Sequence, residues 1–425
     1  MDTRSGGADP LAVFPAVTVT EAVIGAGADP GRPAVVDATS GRVLTYAGLV
    51  KDVGAAAAGL AAQGVAPGTV VGVHLPDSPE FAVATHAVMA AGAVPLPLRA
   101  TLSAAELTRL LRAGGARALI TWPVLLDIAR EAAEPTGVDR LFCFGEEPDA
   151  EPFGALLAHE PAAVPLAGAV ADLEADPAML ACTRGTAAPA RVVALGHAEL
   201  VAGLVRVAAA GMIGPRDIVL SALPFSGALG FNGVLNPALR LGATVVASPA
   251  AGRRELMRAM EQHGVTVVLV PPRTVETFAY DRAVSGYRLH ALRSVVSVGG
   301  PLNAEVARAC AVRLHCAVRQ AYGLTETAGI THLNRRPAEE GTLDSVGPGL
   351  PGVEWRIVDA ATGRDQPSYQ PGEMCVRIPA TGTAGRAHAR WLRTGDAAFR
   401  DEHGRAYILG RLGEGRSRLP GRDMR

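Results

Sequence analysis

Residues 320–327 gather an aromatic ring, a glycine, two hydroxyls and a carboxylate into one short stretch, Gln320-Ala321-Tyr322-Gly323-Leu324-Thr325-Glu326-Thr327. A ring stacks on a nucleobase, threonine hydroxyls bond phosphate oxygens, and a carboxylate holds a divalent cation. The same residues also read as a Tyr-Gly turn capped by Thr and Glu ahead of a helix. Three other stretches offer compatible chemistry. Thr183-Arg184-Gly185-Thr186-Ala187-Ala188-Pro189-Ala190-Arg191 lies between two apolar runs and presents hydroxyls, a glycine and two cations to a phosphate. A surface hairpin is the alternative there. Thr394-Gly395-Asp396 supplies a carboxylate able to accept from a pair of ribose hydroxyls, and Gly410-Arg411 closes the next strand. Each fragment alone is commonplace; the order of all four carries the information.

Such stretches need a scaffold. The chain has 425 residues, 49% of them hydrophobic, which is ample for two or three domains or one large α/β unit with subdomains. Its 40 basic and 41 acidic residues are interspersed, so no electrostatic footprint for nucleic acid or membrane is expected. The start lacks a signal-peptide pattern. The longest apolar region, 81–98, is interrupted by Thr85, His86, Pro95 and Pro97 and reads as a buried helix and strand, not a span. Cys143, Cys182, Cys310, Cys316 and Cys375 are scattered without zinc or redox spacing, and the histidines show no ligand spacing either. Free thiols in a reducing cytosol, and so a cytoplasmic protein, are the expectation. Lys51 is the one lysine in the chain. Any mechanism that needs a lysine must use it or go without.

Hydrophobic periodicity and capping signals predict strands at 33–37 and 42–44, then a helix capped by Thr45 that stops at Gly64. Strands at 70–75, 93–98, 117–121 and 140–144 alternate with helices starting near Pro79, Ser103 and Val124. That is the pattern of βαβ units on a parallel sheet. Residues 146–176 read as a loop-containing connection. Strands at 217–222, 243–246, 266–270 and 294–298 predict a second sheet. From Gly341 onward, short strands at 354–359, 373–378 and 406–409 predict a small β-rich subdomain.

Together the four stretches resemble the adenylate-forming superfamily, which includes acyl-CoA and aryl-CoA synthetases, luciferases and peptide-synthetase adenylation domains. The resemblance runs from about residue 44 to 421. It includes Leu44-Thr45-Tyr46, Gly92-Ala93-Val94-Pro95-Leu96, Ser345-Val346-Gly347-Pro348 and Gly372-Glu373. It implies an α/β fold with two αβα sheet-based subdomains and a small β-rich, distorted-barrel subdomain over 341–410, the whole forming an AMP-binding domain over 1–410. It also implies ATP-dependent activation of a carboxylic acid, with Mg2+ as cofactor and coenzyme A or a carrier protein's pantetheine as thiol acceptor. By the same resemblance Tyr322 and Gly323, with Gly299 and Gly300, would hold adenine. Thr325 and the Thr183, Arg184, Gly185 and Thr186 loop would hold phosphates, Glu326 the magnesium, and Asp396 and Arg411 the ribose. Phe225, Ser226, Gly227, Gly230 and Phe231 would line the acid pocket.

The sequence also departs from the family pattern. Over residues 183–192, Arg184 stands at a Ser position, Ala187 at a Thr, Ala188 at a Gly, Ala190 at a Pro, Arg191 at the Lys and Val192 at a second Gly. Two hydroxyls are lost and two glycines are filled, while Arg191 keeps the charge as a planar guanidinium. Gly227 stands where the family carries a histidine. No aspartate lies between 220 and 231, which argues against an α-amino acid substrate. The resemblance predicts a hinge at 411–413, with 411–425 as the stub of a C-terminal domain of roughly a hundred residues. The lysine of that domain has no counterpart here, so a donor of it in trans is one expected partner. Three readings follow: an acid-activating ligase, a nucleotide- or acyl-binding homologue with a regulatory or scaffolding role, and a piece of a longer synthetase.

Overall fold

The computed structural model describes residues 16–166, 169–170, 172–173, 175–183, 191–248, 252–336, 341–378 and 391–412. In chain order its strands are β1 (Pro33–Asp37), β2 (Val43–Thr45), β3 (Val70–Leu75), β4 (Val94–Arg99), β5 (Ala118–Thr121), β6 (Arg140–Cys143), β7 (Glu151–Pro152), β8 (Pro177–Cys182), β9 (Val192–Gly196) and β10 (Ile218–Ser221). They continue with β11 (Thr244–Ala247), β12 (Val267–Val270), β13 (Ser294–Val298), β14 (Ala317–Leu324), β15 (Gly329–Leu333), β16 (Glu354–Val358), β17 (Gly372–Arg377), β18 (Leu392–Arg400) and β19 (Ala406–Arg411).

The helix starts follow their capping residues. The Thr45 hydroxyl accepts the Gly48 N–H ahead of helix Tyr46–Ala62, and the Ser78 hydroxyl accepts the Phe81 N–H where Pro79 opens helix Pro79–Ala90. Ser103 and Glu106 form a reciprocal box ahead of Ala104–Gly114, the Ser103 N–H donating to the Glu106 carboxylate at 3.0 Å.

Strands β3 to β7 form one parallel sheet in the order β4-β3-β5-β6-β7. The larger sheet runs β15-β14-β13-β12-β10-β11-β1-β2; its inner strands are parallel, and the edge strands β15 and β2 are antiparallel to their neighbours. The chain therefore lays β1 and β2, leaves to build the smaller sheet, and returns to finish the larger one. One core joins the two. The Phe81 ring lies 5.9 Å from Phe225 and 6.4 Å from Phe231, and the Tyr46 hydroxyl donates to the carbonyls of Leu239 and Ala243. Strands β16 to β19 form an antiparallel meander.

The structure overturns one alternative reading of the sequence and adds elements in two places. Residues 320–327 are not a turn ahead of a helix. β14 runs through Tyr322 to Leu324, a single 3-10 turn covers Thr325–Thr327, and β15 returns antiparallel. The reason is steric: a Cβ on Gly323 would lie 2.1 Å from the Gly329 carbonyl oxygen, so glycine lets the two strands close, with a bulge at Tyr322/Gly323. The connection 146–176 contains β7 and a helix, Phe153–Leu157, whose short apolar run carried too little periodicity to read. The β-rich region has a long strand not foreseen, β18, whose alternating burial is punctuated by Gly395.

Candidate nucleotide site

Tyr322 occupies the large sheet beside the end of β13. Val298 pairs with Ala321, so Gly299, with a φ of +94°, and Gly300 follow at the level of Tyr322. Gln320, buried below them, ties the strand to its surroundings. Its amide accepts the Leu302 N–H at 3.1 Å and donates to the carbonyls of Leu302 and Leu343. The Tyr322 side chain reaches out of this sheet to the meander, where its hydroxyl donates to Asp396 Oδ2 at 2.6 Å.

Asp396 is fixed by its own strand. Gly395 takes a left-handed φ of +71° and donates its N–H to Glu373 Oε1 at 3.1 Å. The Thr394 hydroxyl donates to the Met374 carbonyl and accepts the Asp396 N–H. Across the ladder Asp396 faces Arg411, whose Nε lies 3.3 Å from Asp396 Oδ1 and whose Nη1 donates to the Thr394 carbonyl at 2.6 Å. Both carboxylate oxygens are thus engaged in the free protein, and a ribose diol would share them. Burial pushes the Asp396 carboxyl up from its ordinary value, the Tyr322 hydroxyl and Arg411 draw it down, and Glu326 and Glu373 push it up. Burial, then the Asp396 charge, raises the Tyr322 phenol. The Tyr322 ring is 9% exposed and meets His332 edge-on at 5.9 Å. His332 in turn meets Trp355 at 5.1 Å, and burial lowers its imidazole to about 3.

The 3-10 turn divides its polar groups. The Thr327 hydroxyl is spent internally, accepting the Leu324 N–H at 3.1 Å and lying 3.0 Å from the Gly329 carbonyl. Thr325 and Glu326 are half-buried, and their side chains have no hydrogen-bond or ion-pair partner among the described residues. Among the described residues no group of three or more His, Cys, Asp or Glu could hold a metal by itself. A cation bound there would have Glu326 as its one protein carboxylate and would complete its shell with phosphate oxygens and water, as magnesium commonly does.

Strands β8 and β9 form a hairpin closed by Thr183, whose N–H donates to the Arg191 carbonyl and whose hydroxyl accepts the Arg191 N–H at 3.1 Å. Arg184, Gly185 and Thr186 lie outside the described residues. Lys51 is exposed on helix Tyr46–Ala62, far in sequence from all four stretches.

Of the residues expected to line an acid pocket, Phe225 and Phe231 are buried in the core against Phe81, Ser226 is buried, Gly227 is half-exposed, and Gly230 approaches the Pro224 carbonyl too closely for a side chain. Two buried polar contacts next to these residues escaped sequence reasoning. Asp77 accepts the Phe225 N–H at 2.9 Å, and burial pushes its carboxyl up to about 7; the sequence had marked it only as part of a helix start. Asn232 sits in a π-helical stretch, Phe231–Leu235, and donates to the Ala328 carbonyl at the end of the 3-10 turn. No local signal foretells a contact spanning so much sequence.

Two α/β sheets sharing a core, with a β-rich meander that reaches back to the end of the larger sheet, define the large α/β fold of adenylate-forming enzymes. A sequence model described as AMP-binding enzyme matches residues 25–384, and the chain belongs to that family. Among curated relatives, 4-coumarate–CoA ligase 5 of Oryza sativa subsp. japonica is 29% identical over 402 residues, covering 90% of this chain and 74% of that protein. The 4-coumarate–CoA ligase-like 9 of the same plant is 31% identical over 431 residues, covering 95% and 76%. Among solved structures, a long-chain-fatty-acid-CoA ligase from Archaeoglobus fulgidus superposes with a TM-score of 0.82 at 19% identity, covering 94% of this chain and 85% of that one. That likeness concerns the fold. Among the described residues no helix is long and apolar enough to cross a membrane.

Proposed function

We propose that the protein activates a carboxylic acid with ATP. The observation that carries this reading is the Tyr322–Asp396–Arg411 link beside the side chains of Thr325 and Glu326, which have no partner among the described residues. Asp396 and Arg411 bind the ribose end, Tyr322 with Gly299 and Gly300 borders the base, and Thr325 and Thr183 with Arg191 face the phosphates. Glu326 holds magnesium, which when bound neutralises charge on the phosphate oxygens. A carboxylate oxygen of the acid forms a bond to the α-phosphorus while the bond to the bridging oxygen breaks and pyrophosphate leaves. The protein's part is to position the two reactants and balance charge. A thiol then attacks the acyl carbon and releases AMP; coenzyme A and carrier-bound pantetheine share that chemistry. The relatives' names supply the acid class to try first, aryl and acyl acids.

The test is a panel of such acids with Mg·ATP, followed by pyrophosphate release, with and without coenzyme A. Pyrophosphate that depends on one acid supports the reading, and Glu326→Gln should lower it by at least ten-fold. Release from no acid of the panel counts against it and favours a second reading, a nucleotide- or acyl-binding homologue. That reading draws on Ala187, Ala188 and Val192, which replace a hydroxyl and two glycines of the phosphate loop.

A further inference from the structure

A line of buried polar side chains crosses the core from the helix Val19–Ile24 to the 3-10 turn. Thr20 Oγ1 lies 3.3 Å from His86 Nδ1, and His86 Nε2 lies 3.2 Å from Asn236 Oδ1. The Asn236 amide donates to Asn232 Oδ1 at 3.3 Å, and the Asn232 amide donates to the carbonyls of Leu200 at 2.9 Å and Ala328 at 2.7 Å. All four side chains are fully buried. The direction of every bond follows from the last residue. Two carbonyls face the Asn232 amide nitrogen, so its oxygen must accept from Asn236. The Asn236 oxygen must then accept from His86 Nε2–H, which leaves Nδ1 as an acceptor facing the Thr20 hydroxyl, which also lies 3.4 Å from the His86 carbonyl. Burial keeps His86 neutral down to about 4, so the order holds at ordinary pH.

The far end of this line is a constrained point. Ala328 ends the turn Thr325–Thr327 in the left-handed region, φ +55°, where a side chain is disfavoured. Its carbonyl direction is set by the Asn232 bond. Room for that bond is made by Gly203, where a Cβ would lie 2.8 Å from both the Ala328 oxygen and the Asn232 amide nitrogen. Asn232 itself belongs to the helical run that begins with the acid-side residues Ala228–Gly230 and widens into the π-helical stretch.

We infer that Asn232 is a positioning residue: its bond to Ala328 sets where the Thr325–Ala328 turn stands and ties that turn to the acid-side helix. The inference rests on the reading that Thr325 and Glu326 serve the phosphates and the metal of ATP. It separates the two ends of the nucleotide. The ribose end is held by Asp396 and Arg411 on the meander, which Asn232 does not touch, so a fault at Asn232 is felt at the phosphate end alone.

The similarly sized Asn232→Leu removes the donors, and Gly203→Ala drives the partners apart while leaving Asn232 in place. Each variant is first checked for cooperative thermal unfolding. Calorimetry with Mg·ATP and with AMP, and hydrogen exchange of residues 324–331 against 392–411, are then measured on the full chain. The expected result is Mg·ATP affinity lowered ten-fold or more, AMP affinity changed less than three-fold, and faster exchange confined to 324–331. Equal loss of both nucleotides, or no loss of either, in a folded variant overturns the coupling. Unchanged exchange at 324–331 overturns the positioning role whatever the calorimetry gives. If the unaltered protein binds neither nucleotide, the proposed function fails, and the exchange measurement still decides whether Asn232 holds the turn.

Discussion

Tyr322 does two jobs that a single substitution separates. Its ring packs between the large sheet and the meander, and its hydroxyl holds the Asp396 carboxylate. Tyr322→Ala removes both and is expected to abolish AMP binding in calorimetry; binding at the level of the unaltered protein would mean the site lies elsewhere. Tyr322→Phe keeps the ring and leaves Asp396 to Arg411 alone. Thermal unfolding should register a loss of about 1–3 kcal/mol, the cost of a buried acceptor losing its donor, while AMP binding persists. Through the family resemblance Tyr322, Asp396 and Arg411 were legible as neighbours, and the structure brings these three together. Asp77 and Asn232 were not. Their work is a backbone contact with a residue remote in sequence, Phe225 and Ala328 respectively, and only folding brings the partners together.

At the level of elements, the hairpin of β14 and β15 decides whether the turn between them can exist. Gly323→Ala places a carbon against the Gly329 carbonyl with no flexible atom to yield. A loss of about 3 kcal/mol or more in urea unfolding is expected, with the turn Thr325–Thr327 displaced. A loss within 0.5 kcal/mol, the range of an ordinary surface change, would show that the strands have slack. The parallel strands and their helices were readable because Ser78-Pro79 and Ser103 with Glu106 announce helix starts between β-branched runs. The alternative reading of 320–327, a capped turn ahead of a helix, fails for a physical reason. A Tyr-Gly pair followed by Thr and Glu has the composition of a capped turn, and the choice of a returning strand is made by packing against the helix His197–Ala209 and β13, which local composition does not encode.

At the scale of the whole molecule, the four histidines buried among the described residues make stability fall in acid. Burial lowers His74, His86 and His197 to about 4 and His332 to about 3. The unfolded chain protonates these rings near 6.5, so between about 6.5 and 4 it binds more protons than the folded protein. Stability is then full above that window and falls as pH drops through it, by about 1.4 kcal/mol per pH unit for each ring. Urea midpoints measured from pH 8 to 5 should show this decline, and a flat profile would contradict the burial of these rings. Asp77 works in the opposite sense. Raised to about 7, it holds a proton when folded that the unfolded chain has already released, so its contribution weakens as pH rises from about 4 to 7. Asp77→Asn should therefore raise the midpoint more at pH 8 than at pH 5.5, and an equal gain at both would rule this out. The division into two α/β sheets and a β-rich part could be read from the sequence; that residues 33–45 belong to the later sheet could not, since nothing in β1 names its neighbour. That pairing has a consequence for biosynthesis. Val35 finds its partner Val245 only after the whole smaller sheet has been made. At ordinary rates of translation the wait is roughly 10–40 s. During it the strands β3 to β7 can close on themselves, while the apolar β1 has only β2 for a neighbour, so a ribosome-bound chain halted before residue 244 should expose the other edge of β1 to chaperones and proteases, and one released after β11 should protect it.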